Sequence, residues 1–130
     1  AVRELVPTVT AFRAFWGHMP VTVERRYFVD SGRVVCHHPY WPEDSIKNPS
    51  VKAWKSRLRS ISVEGSAEVS ELTHLAERVA EAIPGYWSVD FLRAADGRWF
   101  LIDMADGARS YHQTECHNAT RLPSATSKTQ

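Results

Sequence analysis

Asp90 lies in Trp87-Ser88-Val89-Asp90-Phe91-Leu92 and Asp103 in Trp99-Phe100-Leu101-Ile102-Asp103-Met104, each a lone carboxylate in an apolar run. Burying an unpaired charge costs several kcal/mol or more, so each acid demands a cation, a proton or solvent. The link between the runs decides whether the acids meet. Ala95-Asp96-Gly97 joins them, and Asp-Gly favours a two-residue hairpin turn. In that register Ala95 pairs with Arg98 and Asp90 faces Asp103 on one side of the sheet, with Cβ atoms about 5 Å apart. A three-residue loop instead shifts the register by one and sends the acids to opposite faces. Opposed carboxylates serve as a general acid/base pair or as a divalent-metal site. Oxygen donors without a nearby histidine favour Mg²⁺ over Zn²⁺. The competing reading is a pair of strand-end acids exposed to solvent or neutralised by arginine. Asp106, in Asp106-Gly107-Ala108-Arg109, is either a third ligand or a turn residue before Gly107.

Arg26 shares one face of an alternating segment with Glu24. An in-strand arginine facing carboxylates suits phosphate or acyl-phosphate binding. The alternative is an ion pair, Arg26–Glu24 or Arg25 with another carboxylate, on an exposed face. A second ligand set is Cys36-His37-His38 with His112, Cys116 and His117. Its spacing matches no strong zinc motif, and His37 and His38 point to opposite faces of a strand, which favours ordinary surface histidines. Of the five tryptophans, Trp41, between Pro39 and Pro42, is the pocket candidate, whereas Trp87 and Trp99 belong to the core.

The elements that position these residues follow from periodicity. Val21 to Val29 alternates and predicts a strand; Asp30-Ser31-Gly32 turns it into a second strand over Arg33 to His38. Lys47 to Gly65 carries apolar residues at helical spacing and predicts two or three turns. Glu68 to Ile83 predicts a longer helix with a stripe of Val69, Leu72, Leu75, Ala76, Val79, Ala80 and Ile83, capped by Ser66 and stopped by Pro84-Gly85. Tyr86 to Ala94 and Arg98 to Ala105 form a second hairpin. Strands, helices and strands in that order give an α+β fold, an antiparallel sheet with helices packed on one face.

The chain's balance narrows the partners. Over 130 residues, 16 Lys+Arg meet 15 Asp+Glu for a net charge of +1, which favours neither nucleic acid nor a membrane surface. No run reaches the roughly 18 apolar residues of a membrane span. Two cysteines are too few for a disulfide scaffold, and without a leader pattern they read as free thiols in the cytoplasm. Residues 119–130 are small and polar, as expected of a disordered tail.

Four segments share an ordered likeness to one family: Val2-Arg3-Glu4-Leu5-Val6-Pro7, Glu24 to Val35, Pro84 to Phe91, and Asp96 to Gly107. Together they resemble the C-terminal half of an ATP-grasp domain, nearest to small bacterial and phage proteins of undefined substrate. The resemblance implies a C-terminal ATP-grasp subdomain over residues 1–118, with the N-terminal half, and its phosphate-gripping lysines, absent ahead of Ala1. It implies adenine binding by the backbone of Glu4, Leu5 and Val6, a catalytic Arg26 near the transferred phosphate, and metal binding by Asp90 and Asp103. Asp103 stands where the family usually has glutamate, and Ala105 where many members have a metal-binding asparagine that Asp106 could replace. The implied activity is an ATP- and Mg²⁺-dependent ligase that activates a carboxylate as an acyl phosphate for attack by an amine or thiol. The implied partners are ATP, a small-molecule or peptide carboxylate, and the missing half-domain or a second copy of the chain. The alternative is a catalytically degenerate half-domain that acts as a binding or interaction module.

Overall fold

The computed structural model describes residues 7–113 and residue 116. Strands β1 (Phe12–Ala14) and β2 (Met19–Val21) pair as a short antiparallel hairpin. Strands β3 (Glu24–Asp30), β4 (Arg33–Pro39), β5 (Tyr86–Arg93) and β6 (Trp99–Asp106) form an antiparallel sheet in the order β4-β3-β5-β6. Helices α1 (Trp54–Ile61) and α2 (Ser66–Ala82) lie between β4 and β5 in the chain. The fold is α+β, as the order of periodicities predicts.

Three expectations need adjustment. The strand predicted over Val21 to Val29 breaks at Thr22-Val23, because β2 pairs with β1 while β3 pairs with β4 and β5. The first helix begins only at Trp54. Ahead of it Asn48 adopts a left-handed φ of 48°, and the segment bonds to the β1 region through Phe15 N–H to Lys47 O and Ser50 N–H to Arg13 O. Ser66 does not cap α2; Gly65 occupies that position without a side-chain bond, and Glu68 supplies negative charge to the first turn.

Among the described residues, α2 is the helix that covers the large sheet. Leu72, Ala76 and Ala80 are buried against Tyr27, Val29, Val89 and Phe91, with Leu75, Trp87, Trp99 and Met104 closing the edges. The predicted stripe is therefore the buried face, and its spacing follows the helical repeat. Helix α1 places Leu58 with Phe12, Ala14, Val21 and Ile46, so the small hairpin has a core of its own.

The β5–β6 hairpin holds the decisive register. Its loop has three residues, not two: Gly97 N–H bonds to Ala94 O, and Ala94 N–H to Arg98 O. Gly97 takes φ 91°, the left-handed position this loop needs. Near the loop Arg93 faces Trp99 and Phe91 faces Leu101, but beyond a bulge at Ile102 Asp90 faces Asp103. The loop shifts the pairing by one residue and the bulge shifts it back. The acids meet, by a different route from the one their turn residues suggest.

Candidate functional site

The face of the sheet away from α2 carries a row of side chains from all four strands. His38 on β4 is the Cα partner of Arg26 on β3. Arg26 is the partner of Asp90 on β5, and Asp90 of Asp103 on β6. Period two explains the row, since residues directly opposite in adjacent strands share a face. The bulge at Ile102 is essential to it. It lets Trp99 turn toward the α2 core while Asp103, four residues on, joins the opposite face.

Arg26 grips Asp90 with two bonds, Nε to Oδ1 at 2.8 Å and Nη2 to Oδ2 at 3.0 Å. Its Nη1 donates to Tyr111 O at 3.0 Å, and its guanidinium lies 5.0 Å from the Tyr40 ring centroid. Fork-to-fork pairing is the strongest geometry an arginine and a carboxylate can make. Hydrogen bonding to Asp90 raises the Arg26 pKa further, against the opposing effect of burial. Asp90 is 3% exposed, so its cost of burial is met by this contact. Asp103 is exposed, with Oδ1 accepting the Met104 N–H. The trio therefore sums to one negative charge, with its outermost carboxylate open to solvent.

A cavity of about 380 Å³ opens beside Arg26, lined also by Tyr40, Trp41, Pro42, Asp44, Ser45 and Tyr111. Glu24 lies next along the same face. It accepts from Thr22 Oγ1 at 2.8 Å and from Trp41 Nε1 at 3.3 Å. Burial raises the Glu24 pKa, the two hydrogen bonds oppose this, and the charge on Asp90 adds to the rise. Tyr40 is raised chiefly by burial, with Arg26 pulling the other way. Burial likewise pushes His38 down to about 4, so its ring is neutral at ordinary pH.

The structure brings Arg26, Asp90 and Asp103 together and leaves Asp106 apart. Asp106 is the partner of Trp87, on the alternate side of β6. Its Oδ1 accepts the Ala108 N–H and caps the 3-10 turn Gly107–Arg109. Glu4, Leu5 and Val6 lie outside the described residues, as do His117 and residues 119–130. Pro7, which follows Val6, accepts the Ala95 N–H at the tip of the β5–β6 hairpin.

Trp41 lines the cavity, as its place between prolines suggests. Tyr40 and Tyr111 join it, and sequence reasoning misses both. Tyr40 carries a signal, since it directly follows the end of β4; Tyr111 carries none, because its position depends on the chain returning over the sheet. The reading of surface histidines fails for two of them. His37 and His38 do face opposite sides, but both are buried, His37 stacked on Tyr27 and beside Glu64. The adjacent residue on β3, Arg25, does pair with a carboxylate, Glu68, but Arg25 is buried on the α2 side and the pair does not lie on the exposed face that the ion-pair alternative requires.

No curated protein matches the chain. One family model does, over residues 2–124, and it describes an ATP-grasp domain, family 3 of its clade.

Proposed function

The chain belongs to this clade of ATP-grasp domains, ATP-binding domains of the ligase type, and from that premise we propose that its charge row forms the metal and transferred-phosphate side of an ATP-dependent carboxylate ligase. The observation that carries this reading is the Arg26–Asp90–Asp103 row, held across adjacent strands beside an open cavity. The donors suit the cation. Mg²⁺ is held by one or two carboxylates together with phosphate oxygens and water, and the row offers an exposed Asp103 beside an anchored Asp90.

Each residue has a task in this proposal. Asp103 and the outward lone pairs of Asp90 would hold Mg²⁺, which neutralises charge on the phosphates when bound. Asp90 also keeps Arg26 aligned, so the guanidinium meets an incoming phosphate with little reorganisation. Arg26 then stabilises the phosphoryl group as a substrate carboxylate oxygen attacks it and ADP leaves. The resulting acyl phosphate is attacked by an amine or thiol, releasing phosphate. Trp41 and Tyr40 supply an apolar wall beside Arg26 that limits water at the reacting centre.

Isothermal calorimetry on the full-length protein tests the reading. Mg²⁺-dependent ATP binding is expected, weakened at least tenfold, about 1.4 kcal/mol, by Asp90→Asn or Asp103→Asn. Full affinity in both variants, or equal affinity with and without Mg²⁺, overturns it.

A further inference from the structure

Beyond the charge row, the same face of the sheet gathers softer donors. Cys36 projects from β4 two residues before His38, and His112 and Cys116 arrive with the segment that follows the Gly107–Arg109 turn. Cys36 Sγ lies 2.8 Å from His112 Nε2. One ligand atom from each of Cys36, His112 and Cys116 falls within 4.8 Å of the others. Both cysteines are buried and neither is in a disulfide. Around them Phe28, Val35 and Tyr86 make the pocket apolar.

We propose that Cys36, His112 and Cys116 bind a thiophilic divalent ion, zinc by the chemistry of the donors, and that this ion fastens the segment after β6 onto β4. Two thiolates and an imidazole select zinc over the hard cations that carboxylates prefer. The tetrahedral edge implied by Zn–S near 2.3 Å and Zn–N near 2.0–2.1 Å is about 3.5 Å, so the Cys36–His112 pair opens by less than about 1 Å to admit the ion. His38 stands beside this cluster without belonging to it, and a change of its ring position would be needed to make it a fourth donor. Its Nδ1 lies 2.7 Å from Pro39 O, its buried Nε2 has no hydrogen-bond partner, and its ring stands 5.9 Å from that of His112. Ligating histidines are commonly held in this way, the second ring nitrogen bonded to a backbone carbonyl.

Two other chemistries fit less well. A thiolate–imidazole nucleophile needs access for its substrate, and Cys36 is fully buried. Simple core packing explains one buried cysteine, but not two that gather at one histidine, Cys36 from 76 residues away and Cys116 from the same returning segment. The site also reaches the charge row. His112 directly follows Tyr111, whose carbonyl holds Arg26 Nη1. Fixing His112 therefore fixes the backbone that helps aim Arg26.

The test is metal analysis of the full-length protein purified under reducing conditions. A single zinc per chain is expected, removable by chelator with a fall in melting temperature that added zinc restores. Cobalt in its place gives a thiolate-to-metal charge-transfer band. Cys36→Ser, Cys116→Ser and His112→Ala each weaken zinc by more than the roughly 10–100-fold of an outer-sphere change, while Asp90→Asn keeps full zinc content, which separates this site from the proposed Mg²⁺ site. The proposal is overturned by protein that lacks zinc and gives no cobalt band on reconstitution, by a Cys36–Cys116 disulfide trapped directly from cells, or by full zinc content in the doubly substituted cysteine variant. Chelation of the unmodified protein keeps the test decisive even if a variant fails to fold.

Discussion

Adjacent in β3, Arg25 and Arg26 point to opposite faces of the sheet, and each is met by a carboxylate. Arg25 faces α2. Its Nε and Nη2 bond Glu68, Nη1 and Nη2 also reach the Glu24 and Val63 carbonyls, and its guanidinium lies 5.8 Å from the Trp99 ring centroid. Arg26 makes a bidentate pair too, yet its carboxylate partner faces a second carboxylate and its flank opens onto a cavity. A buried ion pair is therefore weak evidence of function by itself. What separates the two is the surroundings: Arg25 is enclosed by donors and acceptors of the fold, whereas Arg26 borders space for a ligand and an acid with charge to spare.

The largest effect that sharpens this contrast is on stability. Arg25→Met leaves Glu68 without its partner and should cost about 3–5 kcal/mol by urea unfolding, with Mg²⁺ giving no recovery. Arg26→Met should also destabilise the protein, but it leaves Asp90 and Asp103 as two opposed carboxylates with no arginine between them. Mg²⁺ at 100 times its dissociation constant should then return about 2.7 kcal/mol. Equal Mg²⁺ responses in the two variants would break the comparison.

The smallest effect concerns Glu24, which directly precedes the two arginines in β3. Its pKa is raised in the folded protein, mainly by burial, so folding favours its protonated form. The stabilisation from that protonated form is complete below the ordinary carboxylate pKa and is lost as pH rises through the higher folded value. At neutral pH the ionised side chain is a burden. Glu24→Gln should therefore melt higher than the parent protein at pH 7, and the gap should close as pH falls through the carboxylate range. A gap that widens in acid would reverse the assignment.

Much of this arrangement is legible in residue order. The alternation of β3 puts Arg26 on the face opposite Arg25, and the apolar stripe of α2 names its buried side. A lone acid in an apolar strand marks the site at Asp90, because its cost of burial requires a partner, whereas Asp103 stays in solvent and carries no such cost. The partner itself is harder to see. Whether Asp90 meets arginine or metal depends on which strand lies beside β5, and periodicity does not specify strand order. The soft-donor cluster is less legible still. Cys36 and the His112–Cys116 pair are far apart in sequence, so no spacing motif joins them, and only the return of the chain over the sheet does. The hairpin loop departs from its turn residues for a local reason: Ala94 pairs with Arg98, so Asp96-Gly97 closes a three-residue loop.

That departure bears on how the hairpin tolerates change. A β-sheet records residue number only as odd or even, and this hairpin contains two odd steps, the loop and the Ile102 bulge, whose parities cancel at Asp90 and Asp103. A residue lost from the tip can be absorbed by erasing the bulge. The outer stretch, Trp99 to Leu101, would change its alternation and the acids would keep theirs. The tip, where Ala95 meets the incoming chain at Pro7, is thus a part of the molecule that can vary in length and sequence while the charges beneath it stay in line.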